Sequence, residues 1–403
     1  MKKTRSPFAV LLSTLCRFAV LPLSLLIIIL SSSCTRVAND TSVANPHKLT
    51  FFAMDTAMSI TAYGNEDIFV TGSSPLEEAR DLVTSLDNKL SVTNEDSIIY
   101  KINNSHGTDV TIDKQTVLLL ESALYLCKKT NGNLDISVYP LVRAWGFTTG
   151  VYRVPSSQEI SELLENVNYR RILLSSGPEQ AGQIQSPVFS VTTDDNMMID
   201  LGAVAKGYTA EKIAELLTEK DIKSAVISLG GNIKTIGTKP DGSDWNIAIA
   251  APYPAADNSS GSSSRPEDNT DTSTKPTYPS YAGVLRVSDL SVVTSGGYER
   301  YFEENGKHYC HIIDPSTGYP VDNGILSVTI VAKDSFLCDG LSTALFVMGS
   351  DAAAEYWRNN PEFDFIIITD QNEILITEGI SEAFTPDPDY ISYTSAQVRT
   401  ILR

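Results

Sequence analysis

Several catalytic signatures are missing from this chain. It has no GxSxG elbow, no P-loop, no HExxH pair and no Rossmann glycine fingerprint. Their absence argues against the common hydrolase, kinase and dehydrogenase classes. Cysteine is scarce: Cys16, Cys34, Cys127, Cys310 and Cys338 are the five, and none forms a CxxC pair. A zinc site is therefore not expected. Cys16 and Cys34 fall in the N-terminal segment, and the other three read as small buried apolar residues. Cations are outnumbered, with 31 Lys and Arg against 49 Asp and Glu and a formal charge of −18. Residues 1–33 carry Lys2, Lys3, Arg5 and Arg17 but no acid, so the remainder stands at −22. Such a chain has no non-specific hold on nucleic acid or anionic lipid. An anionic nucleotide would need a local device, such as a divalent cation.

What is present begins with a targeting pattern. Residues 1–17 are basic, 18–30 are apolar, and Ser31-Ser32-Ser33-Cys34 follows. This is a signal-peptide pattern over 1–33, and a run of 13 apolar residues is short for a spanning helix. Ordinary cleavage and an uncleaved anchor are the alternatives to lipidation at Cys34. The small-residue run ending in cysteine favours lipidation, although Leu30 stands four residues before the cysteine rather than three. A diacylated cysteine would hold the protein at a membrane surface, on the extracytoplasmic face of the cell membrane. Residues 34–48 read as a tether, and the folded domain as 49–403.

Within that domain, 42% hydrophobic content over 403 residues is enough for a core without disulfides. Residues 51–63 read as one or two strands. Leu76, Ala79, Val83, Leu86 and Leu90 share a helical face, and 115–130 forms a second helix stopped at Asn131-Gly132-Asn133. Residues 188–199 read as strands turned at Asp194-Asp195-Asn196. The stretch from Met198 to Tyr208 reads as a strand end, a turn at Gly202 and a helix running to about Lys220. Strands are expected at 225–229, 233–237, 245–250, 283–287, 290–295, 308–313 and 326–331. Residues 254–280 are rich in Ser, Pro, Asp, Asn and Thr without apolar period, as in a disordered insertion inside the domain. A helix over 335–348 turns Leu337, Leu341, Ala344, Leu345 and Met348 inward. Another helix spans 352–359, and 363–369 with 374–377 forms a final hairpin. Helices and strands mix without strict alternation, which indicates α+β.

Five stretches offer chemistry. A helix start near Asp200 and Lys206 has free N–H groups and partial positive charge, as phosphate requires. A capped helix with a solvated lysine explains that stretch equally well. Asp339 and Thr343 lie four apart on one helix edge and supply hard oxygens suited to Mg²⁺. A surface Asp and a back-bonding Thr are the plain alternative. In His311-Ile312-Ile313-Asp314-Pro315-Ser316-Thr317-Gly318, turn chemistry explains Asp314 and Gly318. It does not explain His311, which is placed on a strand face with Tyr309 and Ile313 and can act as a base. Thr294-Ser295-Gly296-Gly297-Tyr298-Glu299-Arg300 is a glycine turn open to either a ligand or a plain hairpin, as is Ser228-Leu229-Gly230-Gly231-Asn232.

Taken together, the chain resembles the ApbE family of FAD:protein FMN transferases from about Phe51 to Gly379. Five ordered motifs carry the resemblance. They are Ala53-Met54-Asp55-Thr56, Leu134-Asp135-Ile136 through Trp145-Gly146-Phe147, Asp200-Leu201-Gly202 through Lys206-Gly207-Tyr208, His311 through Gly318, and Asp339 through Thr343. Where many relatives have Met-Gly-Thr, this chain has Met54-Asp55-Thr56. The aromatic that often follows the first helix is absent from Leu90-Ser91-Val92-Thr93. The resemblance implies an α+β fold with mixed, mainly antiparallel sheets and packed helices. It implies an enzyme that moves the FMN half of FAD to a threonine hydroxyl of a target protein and releases AMP, with Mg²⁺ at the diphosphate. By the same resemblance, the metal ligands are Asp339, Thr343 and the Ala203 carbonyl. The nucleotide contacts are Met54, Asn133, Leu134, Asp135, Asp200, Lys206 and Ile313, and His311 is the base. Its partners would be FAD and threonine-bearing subunits of membrane redox complexes. Metal-dependent hydrolysis of FAD to FMN and AMP, and a non-catalytic flavin-binding lipoprotein, are the rival readings.

Overall fold

Continuous apolar runs such as Phe365-Ile366-Ile367-Ile368 belong to strands covered on both faces, because neighbouring side chains point to opposite sides. The computed structural model describes residues 45–70, 72, 74–177, 188–252 and 278–403. The targeting segment with Cys34, and 254–277 of the expected insertion, lie outside the described residues. In chain order the first strands are β1 (His47–Ala53), β2 (Thr56–Tyr63), β3 (Val110–Ile112), β4 (Leu173–Ser176) and β5 (Phe189–Thr192). Then come β6 (Ser224–Leu229), β7 (Asn232–Ile236), β8 (Trp245–Ala250), β9 (Tyr281–Val287), β10 (Ser291–Gly296), β11 (Tyr301–Glu304) and β12 (Lys307–Cys310). The last are β13 (Ile325–Ala332), β14 (Asp364–Thr369), β15 (Glu373–Thr377), β16 (Phe384–Pro386) and β17 (Gln397–Ile401). A nine-stranded sheet runs β1-β2-β6-β7-β10-β13-β14-β15-β17. Its pairings are antiparallel except that of β15 with β17. Helices pack against this mainly antiparallel sheet, so the fold is α+β.

The four longest helices among the described residues are α1 (Pro75–Leu90), α2 (Lys114–Lys129), α3 (Ala205–Glu219) and α4 (Ser335–Met348). Leu76, Ala79, Val83, Leu86 and Leu90 are the buried stripe of α1, as their spacing requires. Asp113 caps α2 by accepting from the Thr116 amide at 2.8 Å. Asn131 and Gly132, at φ 53° and 84°, end that helix in the left-handed region. On one face of the sheet, α4 lies against β10 and β13, while α3 packs on α4, β6 and β7. Val293, Ile330 and Ile367 point to this face. Val292, Val331 and Ile366 point to the other, where β8 and β9 supply Trp245, Ile247 and Leu285. Cys127, Cys310 and Cys338 are free thiols buried in the helical-side core.

Several expectations change. Residues 188–199 do not form a hairpin; only β5 is a strand. The backbone at Ile199 is satisfied instead by a side chain, since Asn103 donates to its carbonyl at 2.8 Å and accepts from its amide at 2.7 Å. The strand expected over 308–313 ends at Cys310, so His311 and Ile313 share no strand face with Tyr309. Helix α4 buries Cys338, Asp339, Gly340, Leu341 and Ser342 on successive positions, so it has no polar edge at Asp339. Packing between a sheet and two helices overrides the one-sided pattern. The final hairpin gains β17 as a parallel edge. The insertion's expected end at 280 is too late, because Tyr278 packs edge-on against Tyr393 at 5.1 Å and bonds the Pro252 carbonyl.

Candidate active site

The site begins where α3 starts against the flank of α4. Gly207, in the first turn of α3, donates its amide to Asp339 Oδ2 at 2.7 Å. A Cβ at position 207 would lie 2.4 Å from the Ser335 carbonyl oxygen and 2.7 Å from Asp339 Cβ. Only glycine therefore lets the two helices approach. The free helix start expected for phosphate is already served by Asp339, which supplies the negative charge that the helix dipole favours. That bond takes the amide that would otherwise reach the Ala203 carbonyl four residues back. Asp339 is 4% exposed. Burial raises its carboxyl above the ordinary range, opposed by the Lys206 charge and by the Gly207 and Lys206 amides.

Thr343 stands one turn further along α4. Its neighbour Ser342 shares a hydrogen bond with Ser295 at 2.7 Å, and Ser295 Oγ lies 3.5 Å from Thr343 Oγ1. Ser295, near the end of β10, thus sets a hydroxyl beside Ser342 and Thr343 on α4. Among the described residues no group of three His, Cys, Asp or Glu forms a metal cluster. The oxygens here are of another kind: one buried carboxylate, hydroxyls and a helix-start carbonyl. These are hard donors that suit Mg²⁺ with waters and phosphate completing its shell.

His311 follows β12. Its backbone amide donates to the Arg300 carbonyl at 2.9 Å, and its Nδ1 lies 3.2 Å from the same oxygen. A carbonyl only accepts, so Nδ1 carries the proton and Nε2 keeps its lone pair. Burial, then the Arg300 and Lys206 charges, push the imidazole down to about 4. His311 is neutral at pH 7. The same two cations act on Asp200, which burial raises and which accepts the Gly202 amide at 2.8 Å. Glu299 opens to solvent on one side. Lost hydration nonetheless raises its carboxyl, helped by the Asp339 charge and opposed by Lys206 and Arg300. Lys206 therefore shares one electrostatic neighbourhood with Asp200, Glu299, His311 and Asp339. An open depression of about 510 Å³ along β17 contains none of these residues.

The ApbE family pattern matches residues 54–367. The chain belongs to the ApbE family. The FAD:protein FMN transferase of Treponema pallidum (strain Nichols) is 32% identical over 314 residues, 76% of this chain and 80% of that protein. The enzyme of the same name from Haemophilus influenzae is 28% identical, over 79% of this chain and 85% of its own. The crystal structure of the ApbE protein of Thermotoga maritima has a TM-score of 0.68 at 29% identity, covering 84% of this chain and 99% of that one. The flavin transferase ApbE from Vibrio cholerae, at 24% identity and TM-score 0.64, shares the fold.

On this ApbE scaffold the remaining motif residues are placed as follows. Met54 and Asp55, at φ 47° and 58°, form the two-residue turn between β1 and β2. Both positive angles suit a type I′ turn, where Asp is tolerated in place of glycine. The Met54 amide donates to Asp87 at 3.0 Å, and its sulfur lies 4.0 Å from Thr209 Oγ1 on α3. Asp135 is buried, and its oxygens accept from the Ser137 amide and hydroxyl and from the Tyr169 amide. Its carboxylate is therefore occupied by its own loop on one oxygen and by the Tyr169 amide on the other. Leu134 is buried, and Asn133 donates to the Thr130 carbonyl at 2.8 Å. Ile313 packs with Leu141, Trp145 and Phe147. The Asp200 amide bonds the Ile136 carbonyl at 2.8 Å, which joins this loop to the start of α3. Glu299, Arg300 and Ser295 were not singled out individually from sequence. The available signal was an adjacent acid and base closing a glycine turn that already carries hydroxyls.

Proposed function

We propose that this chain is an FAD:protein FMN transferase, with His311 as its base. The observation that carries this reading is the His311 imidazole, held by the Arg300 carbonyl through Nδ1 and neutral in the same charged neighbourhood as Asp339. A threonine hydroxyl of the target protein gives its proton to Nε2 as its oxygen attacks the FMN phosphorus. The new P–O bond forms as the bond to the AMP phosphate breaks, and AMP leaves with the electron pair. Lys206 and Arg300 oppose the charge that builds up on the phosphoryl oxygens. Nucleotide contacts are assigned to Met54, the Asn133-Leu134-Asp135 loop, Asp200, Lys206 and Ile313. Asp339, Thr343 and the Ala203 carbonyl would hold Mg²⁺, which neutralises diphosphate charge when bound.

Glu299 and Arg300 are exposed, so water also reaches this neighbourhood, and hydrolysis of FAD to FMN and AMP is the second reading. Lipidation at Cys34, an extracytoplasmic membrane location and targets among membrane redox subunits belong to the same proposal. Among the described residues no helix is long and apolar enough to cross a membrane.

The test is incubation with FAD, Mg²⁺ and a small threonine-bearing acceptor domain, followed by intact mass of that domain. A gain of one FMN less water, with AMP formed, is the expected result. AMP without a mass change, where a known transferase modifies the same domain, would favour hydrolysis. Bound FAD without AMP would indicate a carrier.

A further inference from the structure

The loop after Trp145 carries apolar side chains into solvent, yet it is firmly held. Val151 is 74% exposed and Tyr152 43%. Gly146, at φ 86°, lets the loop double back, since a Cβ there would fall 2.0 Å from the Val151 carbonyl oxygen. The Thr149 and Gly150 amides bond the Gly146 carbonyl at 3.2 and 2.9 Å. Arg300 clasps the Phe147 carbonyl from the other side. The Tyr152 ring stacks on Phe302 at 5.1 Å and 11°. Two adjacent exposed apolar side chains on a backbone held this firmly offer a ready-made contact ledge.

Its position relative to the base identifies what it contacts. The Phe147 ring lies 5.6 Å from Tyr152 and 6.4 Å from His311. The ledge and the base therefore flank one buried ring. On the transferase reading, the hydroxyl that reaches His311 Nε2 belongs to a polypeptide, and its neighbours must run over the adjoining surface. An extended chain advances about 3.3 Å per residue, so the ledge lies within about four residues of the acceptor threonine. Alternate side chains face the same way.

We propose that the Val151–Tyr152 ledge seats the acceptor polypeptide, gripping an apolar side chain two or four residues from the modified threonine. The inference rests on the transferase reading and gives that site its partner surface. Charge and FAD chemistry at the site leave the ledge unused.

The test uses the full chain, its Val151→Ser variant and the Val151→Ser/Tyr152→Ser double variant. FAD affinity is read by flavin fluorescence, and FMN transfer by intact mass. The acceptor is a threonine domain carrying either an apolar residue or serine two and four positions from the threonine. The double variant should raise the acceptor KM about tenfold while kcat and FAD affinity stay within about twofold. Replacing the acceptor's apolar residue should cost the parent enzyme the same factor and cost the double variant nothing further. Val151→Ser, at a site too exposed to disturb folding, should show a smaller change of the same kind. An unchanged acceptor KM, fully additive effects, or weakened FAD binding would overturn the proposal, the last by making the ledge a nucleotide wall. Failure of the parent chain to transfer FMN to either acceptor would instead remove the transferase reading beneath it.

Discussion

Asp339 Oδ2 accepts the Gly207 amide at 2.7 Å, so a carboxylate from one helix closes the first turn of another. Asparagine at 339 keeps an oxygen for that amide and almost the same shape, but it loses the charge. Asp339→Asn should therefore fold with stability within about 1 kcal/mol of the parent. AMP release should fall by at least about 100-fold, with half-saturation by Mg²⁺ moving to higher concentration. Parallel Mg²⁺ titrations decide the point. Superimposable curves would place the metal elsewhere.

Gly207→Ala attacks the same junction from the other side. The new methyl would sit 2.4 Å from the Ser335 carbonyl and 2.7 Å from Asp339 Cβ, so α3 and α4 must separate. Overpacking of this kind costs about 1–3 kcal/mol. Denaturant unfolding should register that loss, and activity should fall further than stability accounts for because Asp339 shifts with its helix. A variant as stable and active as the parent would refute the close-approach argument.

His311→Ala should leave FAD affinity intact while slowing AMP release by about 100- to 10,000-fold. Flavin fluorescence measures the first and chromatography of AMP the second. Normal AMP release would show that another group takes the threonine proton.

Much of this was legible in the sequence, and the remainder failed for physical reasons. The α1 stripe and the Asn131-Gly132 stop follow from local periodicity and backbone freedom, which tertiary contacts did not override. Asp339 was recognisable as a helix residue with oxygen to offer. Its burial was not, because α4 is enclosed by sheet and helices contributed from distant parts of the chain. The Met197–Ile199 segment resembled a strand, but Asn103, 96 residues away, satisfies the Ile199 backbone. The clustering of Lys206, Arg300, Glu299 and His311 is likewise long-range. The carbonyl that fixes the His311 tautomer comes from a neighbouring turn that no local spacing reveals.

The insertion gives a prediction about tolerance. Tyr278 bonds the Pro252 carbonyl, so the two ends of the 253–277 segment meet at one place. Replacing 254–277 with a short Gly-Ser linker closes a smaller loop between those ends, and the cost of loop closure changes only slowly with loop length. Transfer rate and melting temperature should match the parent. Loss of soluble folded protein would show that the segment is structural. Deleting through 280 is a different experiment, because it also removes the Tyr278 anchor on Tyr390 and Tyr393.

The His311 environment sets a pH profile with a definite sign. A base works unprotonated, and this one is pushed from 6.5 down to about 4 by burial and by the Arg300 and Lys206 charges. Protonation of His311 should leave kcat/KM level as pH falls through 6.5 and lower it only near 4, so an acid limb above that belongs to the raised carboxyls of Asp200 and Asp339. Stability runs the other way in that window. Between 6.5 and about 4 the unfolded chain holds the extra proton, so His311 makes the fold progressively less stable as pH falls. Initial rates must therefore be taken before acid unfolding. Lys206→Met removes one of the two cations, which makes protonation of His311 easier and moves the acid limb to higher pH. The shift should shrink at high salt to the extent that solvent reaches the pair. A limb that stays in place, or moves to lower pH, would show that Lys206 does not act on the base.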